Sequence, residues 1–204
     1  MTPDSPVRRV RRRATLRHLV VAPALAVALL ATTGGVASAQ TWRHDDAVRD
    51  VRSGDFDSEW GTLSPQRKAG DVTRTTVSHT RSRLVVRIAM RAVPSGSSFV
   101  MATVRTPRTS YDVTRFRMAG IGTTVVLEKT NGAGGELRCR GLSARVRGKA
   151  LELSVPRRCI GKPAWVRVAA GVVVLQGEDA VHVDDALRRG VGRDLRLSPR
   201  VRRG

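Results

Sequence analysis

Carboxylates are the residues in this sequence most clearly arranged for chemistry, because they are bunched. Between Trp42 and Glu59 lie Asp45, Asp46, Asp50, Asp55, Asp57 and Glu59, six of the sixteen carboxylates that follow residue 39. Several oxygen donors on one loop suit a hard cation such as calcium, and Asp50, Asp55, Asp57 and the later Asp71 form the candidate ligand set. The EF-hand spacing, with its central Gly and terminal Glu, is absent. A plainer reading pairs these acids with surface arginines, each pair contributing little.

Catalytic patterns are missing. No Gly-x-Ser-x-Gly elbow, phosphate-cradling glycine loop or His-Glu-x-x-His zinc helix occurs. His44, His79 and His182 are far apart, and a Ser, His and Asp can be assembled on paper from almost any chain. No catalytic residue is assigned, and the chain reads as a binding protein rather than an enzyme. An enzyme of unrecognised pattern remains the third reading.

Two features speak of ligands instead. Trp42 and Trp60, set among polar residues, are the candidate platform for a carbohydrate ring. Arginine outnumbers lysine 33 to 4, and the net charge is +20. A positive surplus attracts anionic polymers: teichoic acid, anionic lipid or nucleic acid. Arg188, Arg189, Arg193, Arg196, Arg200, Arg202 and Arg203 concentrate that charge at the end of the chain, against one Asp. The alternation of basic and aromatic residues that marks single-strand nucleic-acid binders is lacking, so no specific nucleic-acid partner is expected.

The elements that must position these residues follow from the pattern of apolar side chains. Residues 1–39 read as a secretory signal peptide: a basic start, an apolar run from Leu19 to Leu30, and Ala37-Ser38-Ala39 as the cleavage site. Removing them takes away six Arg and one Asp and lowers the charge from +20 to about +15. The apolar run is short for a membrane span, so no integral span is expected after cleavage. An exported protein oxidises an even pair of cysteines, which makes Cys139 and Cys159 one disulfide.

Residues 40–187 read as one β domain. Leu84, Val86, Ile88 and Met90 alternate with Arg87 and Arg91, the period of a half-buried strand, and a short polar turn from His79 to Arg83 joins it to the extended run before it. Strands are also expected at Phe99–Arg105, Tyr111–Ala119, Thr123–Lys129 and Trp165–Leu175, the last apolar on both faces and therefore central. Leu142, Ala144 and Val146 face Leu151, Leu153 and Val155 across Arg147-Gly148-Lys149, and the cysteines flank this hairpin almost symmetrically. About nine antiparallel strands and no long amphipathic helix predict an all-β sandwich or jelly roll. Residues 188–204, rich in Arg with Gly and Pro, are expected to form a flexible basic tail.

The order of short motifs adds a resemblance. Gly70-Asp71-Val72, Val77-Ser78-His79, Leu84-Val85-Val86-Arg87-Ile88, Val155-Pro156-Arg157-Arg158-Cys159-Ile160-Gly161 and Pro163-Ala164-Trp165-Val166-Arg167, with Asp50, Asp55 and Asp184-Asp185, resemble small uncharacterised secreted proteins of actinobacteria. The resemblance implies a sandwich similar to carbohydrate-binding and DOMON-like domains, and no assigned activity. Fold, export and the missing motifs together predict a secreted, non-catalytic sandwich that binds an extracellular or cell-envelope ligand, a polysaccharide in the first reading and a polyanion in the second.

Overall fold

The computed structural model describes residues 40–55, 61–131, 134–177, 179–192 and 195–204. The expected signal peptide at 1–39, and Asp57, Trp60 and Arg193 among the candidate ligand-binding residues, lie outside the described residues. Fourteen strands follow in order: β1 (Gln40–Asp45), β2 (Arg52–Gly54), β3 (Thr62–Leu63), β4 (Val72–His79), β5 (Arg83–Met90), β6 (Ser98–Arg105), β7 (Ser110–Met118), β8 (Gly122–Lys129), β9 (Gly135–Glu136), β10 (Ser143–Arg147), β11 (Ala150–Pro156), β12 (Trp165–Gln176), β13 (Ala180–Asp185) and β14 (Val201–Arg202). No α-helix occurs among the described residues, and none of their segments is a helix long and apolar enough to cross a membrane.

The strands form two antiparallel sheets. One has five strands in the order β1-β4-β5-β11-β10, the other runs β3-β2-β13-β12-β6-β7-β8-β9, and β14 pairs with β12. Alternation along each strand sends every second side chain into the space between the sheets. Val77, Leu84, Val86, Ile88, Leu151 and Leu153 come from the first sheet, and Val100, Val104, Val113, Leu127, Val168 and Val172 from the second, all buried in one continuous core. The expected β-sandwich is therefore the fold, with β12 inside its sheet between β6 and β13.

The cystine joins Cys139 to Cys159 across the open end of the β10–β11 hairpin, with Cα atoms 5.8 Å apart. At the closed end Gly148, at φ 60°, supplies the left-handed residue of a two-residue turn between Arg147 and Ala150. A loop of this length is expected to gain about 3 kcal/mol from the cross-link.

Three expectations are corrected. Val146 is half exposed rather than core, because β10 is the edge of its sheet. Strand β7 is interior to its sheet, since β6 and β8 pair along its whole length, and Arg115 is buried on its inner side. Part of the acidic segment expected as a loop is strand β1, paired to β4 over six residues.

The largest correction concerns residues 188–204. Described residues of this stretch are docked, not free: Ser198 and Val201 are buried, the Ser198 amide donates to the Val168 carbonyl at 2.7 Å, and the Val168 amide donates to Ser198 Oγ at 2.9 Å. The physical reason lies in β12. It is twelve residues long, but β13 covers only Gly171–Gln176, so its first half presents unpaired backbone groups until the returning chain fills them. Val201 opposite Val166 is the apolar residue that anchors the return.

His79, fully buried on β4, belongs to the same corner. Its Nδ1 lies 3.1 Å from the Val201 carbonyl, and burial pushes its pKa below the usual histidine value. A histidine held neutral in the fold but free to charge in the unfolded chain withdraws stability as pH falls below the ordinary value of about 6.5. Buried carboxyls described below act with the opposite sign, so the difference between proteins isolates the histidine. Urea unfolding at pH 7 and at pH 5 is expected to show a larger loss for wild type than for His79→Leu. Equal losses would exclude the histidine as the cause.

Candidate functional site

The outer face of the five-stranded sheet is set by the same alternation that builds the core. On β5 the buried residues Leu84, Val86, Ile88 and Met90 leave Arg83, Val85, Arg87 and Ala89 pointing outward. The register then aligns one row across the sheet: Arg43 opposite Thr76, Thr76 opposite Arg87, Arg87 opposite Glu152, and Glu152 opposite Arg145. A neighbouring row carries Asp45, Arg74 and Arg147. With strands about 4.8 Å apart, a guanidinium recurs about every 10 Å along the row.

Among the described residues, six arginines thus share this face with two carboxylates. Each acid is divided between two cations: Asp45 between Arg43 and Arg74, and Glu152 between Arg87 at 2.6 Å and Arg147 at 3.1 Å. The Arg74 guanidinium beside Asp45, opposed by desolvation and assisted by Arg43, holds that carboxyl below its usual range. Arg83 is committed to structure, donating to Ser154 Oγ at 2.7 Å and to the Gly141 carbonyl at 2.7 Å. Arg145 is exposed and has no ion pair among the described residues. The face carries a surplus of four positive charges if every group is ionised.

A second cluster is buried and of opposite sign. The loop after β1 supplies Asp46 and Asp50, the residue before β4 is Asp71, and the end of β13 supplies Asp184 and Asp185. One carboxylate oxygen each of Asp50, Asp71 and Asp184 lies within 4.8 Å of the others, and all three residues are buried. Two members have fixed counter-charges: Arg91 reaches Asp71 at 2.7 Å, and Arg188 reaches Asp185 at 2.7 Å. Backbone amides hold the rest in place. Val72 N–H donates to Asp184 Oδ2 at 2.6 Å, Gly190 N–H to Asp50 Oδ2 at 2.9 Å, and Arg49 N–H to both oxygens of Asp71.

Desolvation dominates the titration of this cluster. Burial, then the charges of Asp184 and Asp50, push Asp46 up to about 8. Burial also pushes Asp184 up to about 8 against the pull of the Val72 amide, with Asp50 and Asp71 adding to the rise, and Asp50 is raised for the same leading reason.

The candidates named from sequence distribute as follows. Asp50 and Asp71 meet, Asp184 completes their group, and Asp55 is exposed and outside it. Trp42 is no open platform: its indole packs partly buried against the core and stacks on His44 with ring centres 5.8 Å apart. Arg188 is tied to Asp185, Arg200 lies 4.4 Å over the Trp165 ring, and the Arg203 amide donates to the Ala164 carbonyl, so the terminal arginines decorate a docked segment. Arg189, Arg196, Arg200, Arg202 and Arg203 are exposed there. Sequence reasoning missed the basic sheet face, although the alternation at Leu84–Arg91 already placed Arg87 opposite the core side.

One serine–histidine pair also appears. Ser53 and His182 face each other across β2 and β13, with Ser53 Oγ 2.6 Å from Nδ1. The other ring nitrogen, Nε2, lies 3.1 Å from Gln176 Oε1, which also accepts from Arg67 at 2.7 Å. A serine base needs an acid to stabilise its imidazolium. Here burial, then the charge of Arg67, pushes the His182 pKa down. No protein family, curated protein or solved structure matches the chain.

Proposed function

We propose that the chain is a secreted, non-catalytic binding module whose ligand is an anionic polymer of the cell envelope, laid across the outer face of the five-stranded sheet. The row Arg43, Arg87 and Arg145 carries this reading, because an extended polyanion crossing the strands would meet a guanidinium at every second strand. Polar Thr76 and the half-exposed arginines leave the row accessible to solvent. A neutral polysaccharide is less favoured: among the described residues this face presents no aromatic ring, and Trp42 is turned to the core. The serine–histidine pair supports the non-catalytic side of the proposal, since its histidine has an amide and an arginine where a base would have a carboxylate.

The test removes the row without touching the core. Arg43→Gln, Arg87→Gln and Arg145→Gln together are expected to weaken binding to poly(glycerol phosphate) about 10- to 100-fold at low salt, at roughly 0.5–1 kcal/mol per exposed charge lost. Dextran, the uncharged control, is expected to bind neither protein. Unchanged affinity of the triple variant would overturn the proposal.

A further inference from the structure

The buried carboxylates present a different problem from the basic face. Asp50 and Asp184 are 3 % and 1 % exposed, yet Asp50 Oδ1 and Asp184 Oδ1 have no hydrogen-bond partner, and both oxygens of Asp46 are in the same condition. A buried acceptor without a donor costs about 1–3 kcal/mol in the folded state. Several in one place, converging from three separate chain segments, require something to gather around. After Arg91 and Arg188 are assigned to Asp71 and Asp185, neither Asp50 nor Asp184 has an ion pair among the described residues.

We propose that Asp50, Asp71 and Asp184 bind one hard divalent cation, calcium by class, with Asp46 as a further oxygen donor beside them. The donor chemistry selects the class. Three carboxylate oxygens with no cysteine or histidine in the group favour calcium, magnesium or manganese over zinc or copper. Ligands contributed by irregular chain after β1 and before β4, together with one from strand β13, suit calcium, which accepts variable geometry, better than magnesium, which demands a near-ideal octahedron. Oxygens within 4.8 Å of one another can all reach one ion held at about 2.4 Å, since even opposite ligands of such an ion are no farther apart.

The consequence is structural. Asp71 leads into the five-stranded sheet, Asp184 ends a strand of the other, and Asp50 accepts from Gly190 at the start of the returning C-terminal chain. An ion at their meeting point joins both layers of the sandwich and the terminal segment. It fills the role that the cystine fills at the β10–β11 hairpin.

Calcium binding is measured with no polymer present, so this proposal and the polyanion reading fail separately. Thermal unfolding of the full chain in millimolar calcium is expected to lie about 5–10 °C above the same protein in EDTA, and to rise with the logarithm of calcium concentration. Asp184→Asn is expected to lose that rise while melting in EDTA no lower than wild type, because the amide keeps an oxygen to accept from the Val72 N–H. If Asp184→Asn does not fold, equilibrium dialysis of the wild-type chain against radioactive calcium decides: one ion per chain supports the site, and none overturns it. No shift with calcium, or an equal shift with magnesium alone, would overturn the assignment.

Discussion

Replacing Asp71 by Ala is expected to cost about 3 kcal/mol of folding stability in EDTA. The carboxylate is fully buried and is the only acidic partner of Arg91 among the described residues, at 2.7 Å. It also accepts the Arg49 amide, which the chain presents from a left-handed residue at φ 67°. Deleting one member of such a pair leaves the other charge without compensation, which costs far more than the pair itself contributes. Two effects hold the figure at the lower end of the range. The Arg91 guanidinium keeps the Pro65 and Arg67 carbonyls as acceptors, and Asp50 and Asp184 are relieved of a like charge. Asp71→Asn keeps an acceptor for the amide and is expected to cost about half as much. Urea midpoints of the three proteins in EDTA test the order: wild type above Asn, Asn above Ala. An alanine variant as stable as wild type would show the pair to be dispensable.

Truncation after Leu197 is expected to cost about 4–5 kcal/mol, a large part of the 5–15 kcal/mol that holds an ordinary domain together. Val201 is 1 % exposed, and burying a valine contributes about 1.5–3 kcal/mol. The two hydrogen bonds between Ser198 and Val168 disappear as well, and Arg167 loses the Ser198 carbonyl. His79 Nδ1 loses the Val201 carbonyl in the core. Removing a solvated tail, by contrast, changes stability by less than about 0.5 kcal/mol. Chemical unfolding of the truncated chain separates the two outcomes, and a change within that smaller figure would restore the flexible tail.

That segment also illustrates what a sequence conveys and what it hides. The hairpin of β4 and β5 was legible because four apolar residues at period two outweigh everything else within eight positions. The cystine was legible because its cysteines flank a turn whose glycine needs a positive φ. The return of residues 198–204 was not, because the demand for it arises on β12, some thirty residues earlier, where half of one strand edge lies beyond the reach of β13. Arg200-Val201-Arg202 offers a single apolar residue, and only the register makes it an anchor.

The candidate cluster divides in the same way. Asp50 and Asp71 stood out by composition, but Asp55, five residues from Asp50, is exposed, and Asp184, more than a hundred residues away, takes the place expected of it. Spacing along a chain predicts ligands only when one loop supplies them all, as in an EF-hand. Here two sheets bring them together. The basic face was hidden for a related reason: each arginine in the row belongs to a different strand, and their alignment exists only once β1, β5 and β10 share a sheet.

The polyanion reading makes a claim about mechanism that a single affinity does not test, since attraction through displaced counterions weakens with salt in proportion to the contacts made. The most direct measurement is the affinity of the wild-type chain and the Arg43→Gln/Arg87→Gln/Arg145→Gln variant for poly(glycerol phosphate) across a salt titration. The account predicts a straight fall of log affinity with log salt for wild type, and a slope shallower by about two units for the variant, at about 0.7 per lost contact. Parallel slopes, or an affinity indifferent to salt, would contradict it.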